Sequence, residues 1–339
     1  MTKKTKITIQ LASLALLAGL TIWILADNAT APYRKAEGRI FGTYFHITYQ
    51  SSYNYNSEIL KGLDTIDSTL SIFNQQSIVS RVNRNEDVKV NQMFKDIFSL
   101  AQDVSRQTDG AFDVTVAPLV NLWGFGFANR AHVTQSEVDS IIKFIGYKNI
   151  ALKDNKVKKD FPETMFDFGA IAKGYACDVV ASILERHSVS NYIIEIGGEV
   201  RAKGQNSQNK PWTIGIEKPQ DDSLRQNPEL MFVLNVKDMA VATSGNYRNY
   251  YYKDGHKYSH TISPHTGFPV QHSLLSATVC APNCAMADAY ATAFMVMGLD
   301  KAKQILNDNA NLCALFIYTG EDGNYHTWSS PKMEKYLSK

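Results

Sequence analysis

Hydrophobic positions along the chain first run unbroken, then recur at helical spacing, and finally alternate. From Ile7 to Ala26 the only polar residues are Thr8, Gln10, Ser13 and Thr21, and Lys3, Lys4 and Lys6 precede the run. A basic flank before about twenty apolar residues reads as a signal peptide or a signal anchor. The best cleavage site is Ala29-Thr30-Ala31, but Pro32 follows it directly. No cysteine follows the run, which excludes a lipoprotein anchor, and the length of the run with Pro32 at the cleavage point favours an uncleaved anchor. The lysines then stay cytoplasmic, and the chain after about residue 30 is exported. A buried N-terminal helix would leave the lysine flank without a role.

Residues 27–38 read as a polar linker. RIFGTYFHITYQ follows as a strand, with alternation from Ile40 to Tyr49. Ile59, Leu60, Leu63, Ile66 and Leu70 predict a helix over 56–72. Residues 91–109 predict a second, stopped by Gly110. Thr134-Gln-Ser-Glu137 is a capping box that opens a third, ended by Gly146. Residues 170–187 predict a fourth. After it the period changes. NYIIEIGGEV, WTIGIEKP, LMFVLNVKD and LLSATVCAP read as strands separated by Gly, Pro and Asp turns. ADAYATAFMVMG is a helix closed by Gly298, and a short helix at 300–308 leads to the strand CALFIY. Glu-Asp-Gly-Asn at 321–324 turns the last hairpin. Helices early and strands late, without strict βαβ alternation, predict an α+β fold.

Composition narrows the function classes. The chain has 339 residues, 44% hydrophobic, with a net charge of +2. That is ample core material and no broad nucleic-acid surface, so any phosphate contact is local. The four cysteines, Cys177, Cys280, Cys284 and Cys313, are too few for a disulfide scaffold in a chain this long. No Cys/His pair completes a zinc pattern with Cys280 and Cys284. All four read as buried small residues.

Five stretches carry candidate chemistry. In DFGAIAKGYACD, Asp167 ends a strand-like TMFDF, and small residues let the backbone approach a ligand. Lys173 then falls in the first turn of a helix, near the positive end of its dipole, where an anion such as phosphate would compensate it. The stretch is not a P-loop, and a lysine merely paired with Asp178 or Asp167 fits it equally. In NCAMADAYATA, Asp288 and Thr292 share one helix face among alanines. That pair suits a hard cation such as magnesium, and equally an acid at a helix start beside a back-bonded threonine. YSHTISPHTGFPV places His260 and His265 on a proline-fixed loop, where a general base or an ordinary exposed histidine can stand. In ATSGNYRNYYYKDG, Ser244-Gly245 resembles a tight turn able to donate hydrogen bonds. GAFDVTVAPLVNLWGFG is an apolar, aromatic wall with one carboxylate, Asp113, and fits a flat cofactor or a plain core.

Together these stretches resemble the ApbE family of flavin transferases, the FAD:protein FMN transferases. The matching blocks are RIFGTYFHI, FNQQSIVSRVN, GAFDVTVAPLVNLWGFG, DFGAIAKGYACD, YIIEIGGEV, ATSGNYRNY, YSHTISPHTGFPV and SATVCAPNCAMADAYATAFMVMG, in family order over about residues 38–300. The resemblance implies an ApbE-like, T-fold-like α+β domain over 36–339, with mixed or antiparallel sheets flanked by helices, after the N-terminal segment at 1–30. It implies Mg2+-dependent transfer of the FMN moiety of FAD to a threonine of a partner protein, with AMP leaving. The implied acceptor is a subunit of a membrane electron-transport flavoprotein, on the periplasmic side of the inner membrane. Asp167 and Lys173 match FAD-contacting positions. Ala170, Asp288 and Thr292 match metal-site positions. Phe41, Phe73, the segment Ala111, Phe112, Asp113, and Ile262 match positions lining the flavin nucleotide, with Ser244 and Gly245 beside them. His260 matches the histidine proposed to deprotonate the acceptor hydroxyl. The family usually has Asp where Ser263 stands, Met where Phe41 stands and often Tyr where Phe73 stands. An FAD pyrophosphatase and a non-catalytic flavin binder are the alternatives.

Overall fold

The computed structural model describes residues 3–125, 133–219, 229–246, 250–253 and 256–338. Of the stretches singled out above, residues 126, 247–249, 254 and 255 lie outside these. The chain opens with helix α1 (Lys3–Thr30) and the hairpin β1 (Tyr33–Ile40) and β2 (Thr43–Gln50). Helices α2 (Asn56–Leu70), α3 (Ile78–Asn83), α4 (Gln92–Gln107), α5 (Ala117–Leu122) and α6 (Gln135–Ile142) follow. The small hairpin β3 (Ile150–Lys153) and β4 (Lys156–Lys159) leads to α7 (Ala172–Arg186). Next come β5 (Tyr192–Ile196), β6 (Glu199–Lys203), β7 (Trp212–Glu217), β8 (Leu230–Val236) and β9 (Met239–Gly245). The chain then forms β10 (Tyr250–Lys253), β11 (His256–Ser259), β12 (Leu274–Ala281), α8 (Cys284–Met297), α9 (Leu299–Asp308), β13 (Cys313–Thr319) and β14 (Tyr325–Ser329).

Eight strands form one antiparallel sheet in the order β1-β2-β5-β6-β9-β12-β13-β14. Alternation decides which side chains face which layer. Phe45, Ile47 and Tyr49 of β2 and Tyr192, Ile194 and Ile196 of β5 point into the main core, under α2, α4, α7 and α8. Strand β12 is buried on both faces. Ala277, Val279 and Ala281 face that core, and Cys280 faces a second one under the β7–β8 hairpin. Two-sided cover explains why LLSATVCA reads as a near-continuous apolar run. All four cysteines are buried and unbridged. A third cluster gathers Leu119, Trp123, Val138 and Ile262.

Two predicted strands are hairpins. RIFGTYFHITYQ turns at Phe41 and Gly42, both at positive φ, so β1 occupies much of the predicted linker. NYIIEIGGEV turns at Gly197 (φ +65°) and Gly198 (φ +104°). TMFDF is an extended segment with a single bridge, Met165 to Val116, rather than a strand. The Thr134–Glu137 capping box is present, and Asn91 caps α4 through Phe94 N–H. Helix α1 contains the whole N-terminal apolar run, and the side chains of residues 3, 4, 6–8 and 22–30 lie outside the described residues. Among the described residues no helix is long and apolar enough to cross a membrane.

Candidate active site

The site forms where α7 crosses α8. At Gly174 a Cβ would stand 2.3 Å from the Cys284 carbonyl oxygen, so only glycine allows this approach. The Gly174 N–H donates to Asp288 Oδ2 at 3.0 Å. A return tie runs from α7. Asp178 accepts the N–H groups of Cys284 (2.8 Å) and Ala285 (2.9 Å), and so satisfies donors that have no intrahelical partner at the start of α8. Arg201 on β6 neutralises Asp178 at 2.8 Å. Asp178 is thereby committed elsewhere, and Lys173 turns instead to Glu199, at 2.5 Å.

Glu199 is the residue that the sequence reading missed. It opens β6 directly after the Gly197-Gly198 turn, a hairpin signal hidden inside what reads as one strand. Gly197 lets the Lys173 stem pass: a Cβ there would lie 3.1 Å from Lys173 Cδ.

On the sheet side, Ser244 and Gly245 end β9 rather than forming a tight turn, because they pair with Ala277 and Ser276 of β12. Ser244 Oγ lies 3.2 Å from Thr292 Oγ1, one turn of α8 beyond Asp288. On the loop side, Asp113 is buried and accepts from Thr115 N–H, Thr115 Oγ1 and Tyr147 N–H at 2.8, 2.6 and 2.6 Å. Its carboxylate therefore organises the Ala111–Asp113 loop. Asp167 accepts the Gly169 N–H at 2.7 Å, in the turn that carries Ala170 toward α7. His260 follows β11, its ring 6.4 Å from that of Phe125 at a steep angle. The loop beyond is pinned by Trp123 Nε1, which donates to the Gly267 carbonyl at 2.7 Å. Ser263 Oγ accepts the Thr266 N–H within that loop, a bond that an aspartate carboxylate also makes.

These residues surround one cavity of about 620 Å³. It brings together Ala111, Phe112, Asp113, Asp167, Ala170, Lys173, Ser244, Gly245, His260, Ile262, Asp288 and Thr292, with Glu199 and Phe125 added. Phe41 and Phe73 do not line it. Phe41 sits at the β1–β2 turn against the main core, and Phe73 is 69% exposed. A smaller hollow shares Asp167 with the main cavity and is lined by Gln75, Asn83 and Asn121 among others.

The charges are few and close. Burial works against the Lys173 ammonium, but the Glu199 and Asp288 carboxylates overcome it and raise its pKa. Burial pushes Glu199 up to about 7, with Lys173 pulling it down and Asp288 pushing it further up. Burial also raises Asp288, against the pull of Lys173 and the Gly174 N–H. Asp167 is raised by burial, with the Gly169 N–H opposing. Glu199 Oε2 is buried without a hydrogen-bond partner. Among the described residues no group of three His, Cys, Asp or Glu side chains could hold a metal. A cation bound here would have to draw on lining oxygens such as the Asp288 carboxylate, the Thr292 hydroxyl and the backbone at Ala170. This all-oxygen set fits a hard ion that keeps other ligands for itself.

An antiparallel α+β scaffold with a nucleotide-sized cavity, a half-buried lysine and oxygen donors on its wall defines the class. The chain belongs to the ApbE family, whose model matches residues 41–316. Among relatives, the FAD:protein FMN transferase of Vibrio cholerae is 36% identical over 342 residues, covering 98% of each chain. That of Escherichia coli K12 is 31% identical, covering 97% of this chain and 98% of its own. Among solved structures, the flavin transferase ApbE from Vibrio cholerae superposes with a TM-score of 0.81 at 34% identity. The match covers 91% of this chain and all of that one. The ApbE protein from Thermotoga maritima gives 0.78 at 29% identity, with the same coverage.

Proposed function

We propose that this chain is an FAD:protein FMN transferase. It moves the FMN moiety of FAD onto a threonine hydroxyl of an acceptor protein and releases AMP. One observation carries the reading: Lys173, His260 and the Asp288–Thr292 pair, from three distant stretches of the chain, line a single cavity. Its volume lies within the range, roughly 300–1,000 Å³, of small-molecule sites.

The residues divide the work. The Phe112, Phe125 and Ile262 side supplies an apolar wall for the flavin ring. Lys173 donates to the diphosphate and stabilises the charge that builds on its oxygens. His260 takes the proton from the threonine oxygen as that oxygen bonds to the FMN phosphorus. The bond from that phosphorus to the bridging oxygen breaks, and AMP departs with the electron pair. Asp288, Thr292 and the Ala170 carbonyl would hold Mg2+, which when bound supplies positive charge to the phosphate oxygens. Ser244 steadies the Thr292 hydroxyl from β9.

The basic flank and the apolar run support an anchor that keeps the catalytic domain on the extracytoplasmic face of the inner membrane. The acceptor is then a membrane electron-transport flavoprotein subunit facing the same side. The test uses the full chain in detergent with FAD, Mg2+ and a threonine-bearing domain of such a subunit, read by intact-mass spectrometry. A gain of one FMN on the acceptor, abolished by EDTA, is expected. Free FMN and AMP beside an unmodified acceptor would instead make the chain a pyrophosphatase.

A further inference from the structure

Two buried carboxylates act on Lys173 in the cavity. Glu199 is 3% exposed and bonds the ammonium at 2.5 Å, while Asp288, also 3% exposed, acts on it electrostatically from α8. Only one of the two carboxylates is needed elsewhere. If the ammonium closed onto Asp288, it would occupy the carboxylate that the cation needs. We infer that Glu199 is a positioning residue: it holds Lys173 away from Asp288 and so keeps the cation site open. The inference rests on the cation reading above.

Three features support it. Glu199 spends one oxygen on Lys173 and leaves its other oxygen buried and unpartnered, a costly arrangement for a residue with only a packing role. The Gly197-Gly198 turn delivers Glu199 to this position and clears the path of the Lys173 stem. Asp288 has its own neutral donor in Gly174 N–H, so the lysine is not required to hold it. When FAD arrives, the ammonium keeps one N–H on Glu199 and turns the others to the diphosphate.

The test is a double-mutant cycle read by Mn2+ binding alone, followed by electron paramagnetic resonance on the full chain at pH 8. Glu199→Gln is expected to weaken Mn2+ binding at least tenfold, because the freed ammonium closes onto Asp288. Lys173→Met is expected to strengthen binding far more in the Glu199→Gln background than in the wild type. Equal factors in both backgrounds would mean simple charge addition and would overturn the inference. So would wild-type Mn2+ binding by a folded Glu199→Gln chain. Absence of Mn2+ binding by the wild type would instead sink the cation reading itself. Should Glu199→Gln fail to fold, Glu199→Asp carries the test. Its shorter arm is expected to give intermediate affinity, and wild-type affinity would count against the inference.

Discussion

The N–H of Gly174 donates to Asp288 Oδ2 at 3.0 Å, so the backbone of one helix holds the carboxylate of the next. The bond exists because the two helices nearly touch there. Gly174→Ala places a methyl 2.3 Å from a backbone carbonyl, which has no flexible end to move aside. The helices must part, at a cost of about 1–3 kcal/mol. Thermal unfolding is expected to fall by several degrees, and an unchanged midpoint would show that the crossing has slack.

Asp178 holds the other end of the same crossing. Asp178→Ala removes two hydrogen bonds from the start of α8 and strands Arg201, both partners being mostly buried. A loss of about 3 kcal/mol is expected in denaturant titration. Asp178→Asn keeps one oxygen, which can still accept one of the Cys284 and Ala285 N–H groups, and should lose less. If the two variants are equally stable, the cap contributes nothing and only the Arg201 pair matters.

Local signals in the sequence were legible, and long-range partners were not. The Thr134–Glu137 box and the helical spacing of Ile59, Leu63 and Ile66 each depend on neighbours within one turn, and each appears as an element. The shared face of Asp288 and Thr292 was likewise a matter of helical period. Strand ends fared worse, because Gly-Gly and Phe-Gly turns lie inside apolar runs that read as continuous. Glu199 was lost for that reason. The partner of Lys173 depends on where β6 passes α7, which no spacing along the chain encodes.

Thr292 separates two kinds of contribution. Thr292→Ser keeps the hydroxyl that faces Ser244 and is expected to retain most metal-dependent activity. Thr292→Val keeps the shape and loses the oxygen, so half-saturation should need at least tenfold more Mg2+, with little change in unfolding temperature. Equal Mg2+ requirements in the two variants would remove Thr292 from the cation site.

Glu199 also sets a pH dependence. Its ordinary pKa of 4.5 rises to about 7 in the folded chain through burial. The folded carboxyl therefore binds its proton more tightly than the unfolded one, and folding takes up a proton between these values. That contribution to stability is fully present below pH 4.5 and is lost as pH rises through about 7. Thermal midpoints of Glu199→Gln are expected to fall less than those of the wild type across this window. Parallel curves for the two proteins would show that Glu199 titrates alike in both states.

His260 is the residue whose role most needs separating from binding. It lines the cavity with Lys173 and Asp288, and the loop it opens is pinned by Trp123. If it removes the acceptor proton, His260→Ala should bind FAD with wild-type affinity by fluorescence quenching. Single-turnover transfer to the acceptor should fall by about 10²–10⁴-fold, the usual contribution of a positioned base. Added imidazole should restore part of that rate if it enters the space the ring vacates and takes the proton in its place. FAD binding that weakens in step with transfer would make His260 a nucleotide ligand instead. The proton would then have to leave through another group lining the same cavity, with Asp167 the nearest in chemistry because burial already raises its carboxyl toward a basic role.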